Sequence, residues 1–253
     1  EVTLFFTAST DYMPVYPVYK GRDFINVTRN NINKAFQQPY TKLLQDHIAD
    51  HQRYFNRVHF KLTDFKSDLP TNELIERVKQ TGSDPYLAQL YFQYGRYLII
   101  ASSRDKTLPA NLQGIWCNKI QAPWNSDYHT NINVQMNYWP TENTNLSDLH
   151  MPLIDFIQSI EKPATRSAAV QFGMKGWCIN PIVNVWGFTS PGEHPSWGLT
   201  LSAGAWICQH LWEHYAFTLD KEYLKKVYPT LKESARFYMD WLVEDSETGK
   251  LVS

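Results

Sequence analysis

Behind Pro39, the residues Leu44, Ile48, His51 and Phe55 recur every three or four positions, which puts them on one face of a helix. A second helix is marked at both its start and its stripe. Asp84 supplies an N-cap, Pro85 takes the first helical position, and Leu87, Leu90, Tyr91, Tyr94 and Leu98 form one face that should end near Ser102. Helical spacing also predicts helices over residues 147–160, 165–171, 202–217, 221–227 and 230–243. Before them, Val2-Thr3-Leu4-Phe5-Phe6-Thr7 is a β-branched and aromatic run that reads as a strand. A lone strand is not stable, so its partners are expected upstream of residue 1 and the chain is expected to be part of a longer one. Between residues 104 and 146 the periodicity lapses into a stretch rich in Asn, Trp and Pro, too aromatic for a disordered loop and so expected to line a site. Successive helices without alternating strands predict a mainly α fold, such as a bundle, solenoid or α/α toroid, and the lack of a fixed-period repeat disfavours the solenoid.

Composition narrows the class. Over 253 residues, 43% hydrophobic against 19% charged excludes a disordered chain and allows a sizeable core. A formal charge of -1 points away from nucleic acid and from an anionic membrane, and no apolar run reaches the length of a membrane span. Cys117, Cys178 and Cys208 are too few and too widely spaced for a disulfide framework or a zinc knuckle. The aromatic share of 15% stands out: the rings could fill a core, or line a polar cleft and stack on the apolar faces of sugars.

The densest polar cluster, Trp124 to Trp139, favours the cleft. From His129 to Gln135 the odd positions are His, Asn, Asn and Gln. In an extended chain His129, Asn131, Asn133 and Gln135 would face one side together. Buried without partners, such groups would cost roughly 1–3 kcal/mol each, so they must meet one another, water or a polyhydroxylated ligand. A separate stretch, His210-Leu211-Trp212-Glu213-His214, fits the H-x-x-E-H pattern of inverted zinc peptidases, with Glu233 as the third ligand in that reading; a core helix with hydrogen-bonded histidines is the alternative. Gly192-Glu193-His194-Pro195-Ser196-Trp197 forms a turn that offers a carboxylate, an imidazole and an indole. A phosphate loop, a dinucleotide fingerprint and a nucleophile elbow are absent from the sequence.

Longer strings carry a family resemblance. Tyr94-Gly95-Arg96-Tyr97-Leu98, Leu108-Pro109-Ala110-Asn111-Leu112-Gln113-Gly114-Ile115-Trp116, Asp127 to Pro140 and His210 to Tyr215 occur in an order that resembles family 95 glycoside hydrolases over about residues 47–253. The resemblance implies the end of an N-terminal β-sandwich-like domain over residues 1–28, a helical linker over 29–70 and the first part of an (α/α)6 barrel over 71–253. The implied activity is inverting exo-hydrolysis of terminal α-L-fucose, typically α-1,2-linked to galactose, although some members prefer L-galactose. It implies no cofactor or metal, a fucosylated oligosaccharide or glycan as partner, and a periplasmic or secreted location. By the same resemblance Asn131 and Asn133 hold the attacking water and His129 and Glu193 bind the sugar; by residue type Trp124 and Trp197 are the rings expected beside it. The family's general acid, a Glu, and the Asp that backs the asparagines are expected beyond Ser253. The non-catalytic alternative is a carbohydrate-binding or scaffold domain.

Overall fold

A computed structural model describes residues 2–252, and the fold is mainly helical. The helices are α1 (Phe24–Phe36), α2 (Tyr40–Phe55), α3 (Thr71–Thr81), α4 (Pro85–Ser102), α5 (Asn133–Tyr138), α6 (Pro140–Asn143), α7 (Met151–Phe172), α8 (Pro195–Gly198), α9 (Ala203–Thr218) and α10 (Lys221–Trp241). Four short strands, β1 (Tyr128–His129), β2 (Ile182–Val183), β3 (Val243–Glu244) and β4 (Leu251–Val252), pair as two antiparallel ribbons, β1 with β2 and β3 with β4.

The main core lies where α7, α9 and α10 pack together. Leu153, Ile154, Ile157 and Ile160 of α7 meet Ile207 and Leu211 of α9 and Val227 of α10 in one buried cluster. Trp177, fully buried in the α7–β2 connection, donates its indole N–H to the Thr230 carbonyl of α10 at 2.9 Å. The backbone beside it must come close to α10. A Cβ on Gly176, whose φ is +71°, would lie 2.1 Å from the Glu233 carbonyl oxygen, so only glycine fits. Arg96 joins α4 to the end of α2. Its guanidinium is almost fully buried and donates to the Tyr54 carbonyl at 2.9 Å and the Phe55 carbonyl at 2.8 Å, two of the acceptors that a helix end leaves open.

Helix α4 follows the sequence pattern, with Asp84 accepting from the Leu87 N–H at 2.9 Å and the helix ending at Ser102. Two expectations are corrected. The expected helices 147–160 and 165–171 are one helix, α7, through Pro163, and 221–227 and 230–243 are one helix, α10, through Pro229. A proline removes one backbone hydrogen bond, but a long buried apolar face recovers more than that loss. Residues 104–146 are not uniformly irregular, because β1, α5 and α6 lie within them. Val2 to Thr7 pair with no segment among the described residues, and Val2, Leu4 and Phe6 are exposed. The chain next to them docks instead through Tyr12, whose hydroxyl donates to the Val185 carbonyl at 2.8 Å and whose ring meets Trp186 edge-on.

Gly176→Ala is expected to destabilise the protein by roughly 2 kcal/mol or more, since both the positive φ and the α10 backbone oppose a methyl group. A urea midpoint unchanged from the parent would contradict this packing.

Candidate active site

The segment leading into β1 is held in an unusual conformation. Trp124, Asn125 and Ser126 have φ of 46°, 55° and 53°, three consecutive left-handed residues, none of them glycine. Each costs roughly 1–2 kcal/mol, and local hydrogen bonds offset part of the cost. Asn125 N–H donates to the Ala122 carbonyl at 3.0 Å, Asp127 N–H to the Trp124 carbonyl at 3.1 Å, and the Ser126 hydroxyl to Gln113 Oε1 at 2.7 Å. The result is a fixed turn that leaves the Trp124 indole 71% exposed.

Strand β1 follows. Tyr128 is buried and donates its hydroxyl proton to the Pro109 carbonyl at 3.0 Å, while His129 pairs across the ribbon with Ile182. Burial lowers the pKa of the half-buried His129, and the nearby Asp127 opposes that shift. Burial raises Asp127, against the pull of His129 and an Asn125 hydrogen bond. Thr130 is fully buried and fixes the next peptide: its N–H donates to the Pro181 carbonyl at 2.8 Å and its hydroxyl to the Asn180 carbonyl at 2.8 Å.

The chain does not stay extended beyond this point. Residues 130–132 form a turn and Asn133 opens α5, so the expected alternation from His129 to Gln135 is corrected. The cause is helical spacing. Val134 and Tyr138, four residues apart, are drawn into the core, and the Tyr138 hydroxyl accepts from the Ala110 N–H at 2.7 Å. Asn131 and Asn133 remain exposed at the turn, whereas Gln135 is completely buried and leaves the patch. The structure therefore carries Trp124, His129, Asn131 and Asn133 on one braced segment. Glu193 stands exposed on a separate loop and Trp197 on the short α8 that follows it, and the segment closes where Gly192 N–H donates to the Gly198 carbonyl at 2.8 Å.

A second polar centre lies in the core. Glu142 of α6 is buried, and its Oε1 accepts from His150 Nδ1 at 2.7 Å and from His214 Nδ1 at 2.8 Å, while the Ser147 hydroxyl donates to Oε2. Because the carboxylate can only accept, His150 presents Nε2 as an acceptor for the His210 Nδ1–H at 2.8 Å. Burial works to raise the Glu142 carboxyl, but the donors from His150, His214 and Ser147 outweigh it and hold the group well below the usual carboxylate range. Burial, helped by the adjacent His150, pushes His210 down to about 3.

The ligand atoms of Glu142, His150 and His214 lie within 4.8 Å of one another and are the one trio among the described residues placed to hold a metal ion. Both histidines meet Glu142 Oε1 at hydrogen-bond length, so the carboxylate is satisfied here by their N–H groups. A cavity of about 1120 Å³ between α3 and α4 is lined mostly by apolar side chains, with Thr71, Ser83 and Asp84, the last engaged as a helix cap.

Residues 39–253 match the family model described as the glycosyl hydrolase family 95 catalytic domain. The chain belongs to glycosyl hydrolase family 95. It is 41% identical over 229 residues to "Alpha-L-fucosidase 2" of Arabidopsis thaliana, which covers 86% of this chain and 27% of the relative. It is 35% identical over 266 residues to "Probable alpha-fucosidase A" of Aspergillus niger, which covers all of this chain and 33% of the relative. A protein of the same description from Aspergillus oryzae is 35% identical over 188 residues, covering 72% of this chain and 25% of the relative. The chain thus spans about a quarter to a third of the length of these curated relatives.

In this family 95 chain the H-x-x-E-H string is not a zinc site, and that reading is corrected. His210 and His214 share a helix but turn to different partners, His150 and Glu142, and neither His210 nor Glu213 belongs to the trio. Glu233, the expected third ligand, accepts instead from Arg236 at 3.4 Å. Glu142 and His150 were not legible as functional or structural centres, because nothing in their local sequence signals partners on α9. A proton count gives the pH behaviour. The folded state refuses a proton at His210 that the unfolded chain accepts below its ordinary 6.5, so stability is full above that value and lost as pH falls toward about 3. The Glu142 contribution, from a depressed carboxyl, is likewise present above the ordinary value of 4.5 and lost on acidification below it. The unfolding free energy is therefore expected to decline below about pH 6.5, by up to about 1.4 kcal/mol per pH unit for each group titrating, and less steeply in His210→Gln. Equal slopes in the two proteins would contradict this.

Proposed function

We propose that the protein to which this chain belongs is an inverting exo-glycosidase that removes terminal α-L-fucose, α-1,2-linked to galactose, from glycans. The observation that carries the reading is the pair Asn131 and Asn133, both exposed where the turn after His129, anchored by Thr130, enters α5. The family and the names of the relatives support the substrate class.

Inversion requires an acid on the leaving oxygen and a water driven onto the opposite face of C1. An amide is too weak a base to take the water's proton alone, but its carbonyl oxygen can accept a hydrogen bond and aim the lone pair. In this reading Asn131 and Asn133 hold the water, and a carboxylate elsewhere in the protein, the Asp expected beyond Ser253, polarises them and receives the proton. A Glu, also expected beyond Ser253, protonates the glycosidic oxygen as the C1–O bond breaks. His129 and Glu193 bind sugar hydroxyls, and Trp124 and Trp197 offer ring faces to the apolar side of the deoxysugar. The strained turn at Trp124 supports this role, since strained backbone gathers at binding sites. The proposed architecture is residues 1–28 as the end of a β-sandwich-like domain, 29–70 as a helical linker and 71–253 as the first part of an (α/α)6 barrel.

In the full-length protein Asn131→Asp and Asn133→Ala are each expected to lower turnover of a 2'-fucosylated galactoside by about a hundredfold or more, with little change in melting temperature or KM. The 253 residues alone are expected to turn it over negligibly. Full turnover in either variant, or loss of sugar affinity with turnover kept, would overturn the reading, and the latter would favour a carbohydrate-binding role.

A further inference from the structure

Gln135 is fully buried on the first turns of α5, two residues after Asn133. Its Nε2 donates to the Thr130 carbonyl at 2.5 Å, and that carbonyl belongs to the peptide that leads into Asn131. Thr130 is itself fully buried and bound on its other two polar groups, N–H to Pro181 and hydroxyl to Asn180. All three hydrogen-bonding groups of the residue between His129 and Asn131 are therefore engaged from outside the turn. The far end of the turn is closed by Met136 N–H donating to the Ile132 carbonyl at 2.9 Å.

The Gln135 amide is retained at a cost. Its Oε1 is buried and has no hydrogen-bond partner among the described residues, a penalty that Met or Leu of similar size would avoid. The amide cannot turn round, because Oε1 would then face the Thr130 carbonyl oxygen. What the side chain supplies is thus one directed N–H to one carbonyl, and that carbonyl sets the peptide plane from which Asn131 projects.

We propose that Gln135 and Thr130 are positioning residues for the Asn131–Asn133 pair: they act on the reaction through the asparagines without touching substrate. The inference rests on the assignment of that pair to the attacking water. Small displacements of a nucleophile carry large penalties, so Gln135→Met in the full-length protein is expected to lower kcat about 10- to 100-fold with KM within about twofold. The decisive measurement is the same substitution in an Asn133→Ala background. A residue that works through Asn133 has nothing left to position there, so the Gln135→Met loss should largely disappear, whereas a generally loosened fold would lose kcat again by the same factor. Thr130→Val removes the hydroxyl anchor from the opposite side, should show the same dependence on Asn133, and serves if Gln135→Met melts below the assay temperature. Wild-type kcat in Gln135→Met and Thr130→Val, or losses that repeat in full in the Asn133→Ala background, would overturn the positioning role alone. Undiminished turnover in Asn133→Ala itself would overturn the assignment of the pair and this inference with it.

Discussion

A carboxylate buried among helices must be fully satisfied or it will not stay charged, and Glu142 meets that demand by drawing donors from three parts of the chain. Ser147 follows α6, His150 precedes α7 and His214 lies on α9. Apolar packing of α7, α9 and α10 would hold these helices together without fixing their register, because hydrophobic contact is non-directional. The Glu142 hydrogen bonds are directional. They tie α6 to α9 at one distance, and α6 directly continues α5, which begins at Asn133. Removing one partner would leave an unpaired charge in the core, so the register is protected by the cost of breaking it.

Two different supports thus meet at the candidate site. From the C-terminal side, α5 is fixed by the Tyr138 hydroxyl, by the Glu142 centre on α6 and by the burial of Val134. From the N-terminal side, the β1–β2 ribbon and the Asn180–Pro181 backbone hold Thr130. Between these supports, the exposed amides of Asn131 and Asn133 are the groups proposed to meet solvent and sugar. Rigid backbone beneath exposed amides is what aiming a water requires, since a mobile amide would spend its hydrogen bond on many orientations.

Local signals in the sequence predicted what local physics decides. Asp84 followed by Pro85 gave the start of α4, and Pro39 with the stripe from Leu44 to Phe55 gave α2. Helices α7 and α10 run through Pro163 and Pro229, because the proline penalty is local and the compensating burial is not. From His129 to Gln135 two periodicities compete. Polar residues two apart fit a strand, yet Val134 and Tyr138 four apart fit a helix, and the core chose the helix. Asn131 and Asn133 were singled out by residue type and resemblance, and their exposure agrees with access to solvent. Glu142 was invisible, because His150 lies eight residues and His214 seventy-two residues away, and no sequence pattern links groups at those separations.

The claim at the centre of the account is that two amides jointly hold a nucleophilic water against the anomeric carbon of a bound fucosyl unit. A crystal structure of the full-length protein with an unreactive fucoside tests it most directly. The account predicts one ordered water within hydrogen-bonding distance of the side-chain oxygens of both Asn131 and Asn133, on the face of the sugar opposite the leaving oxygen. A fucosyl unit bound elsewhere, or amides turned away from C1 with no shared water, would contradict it.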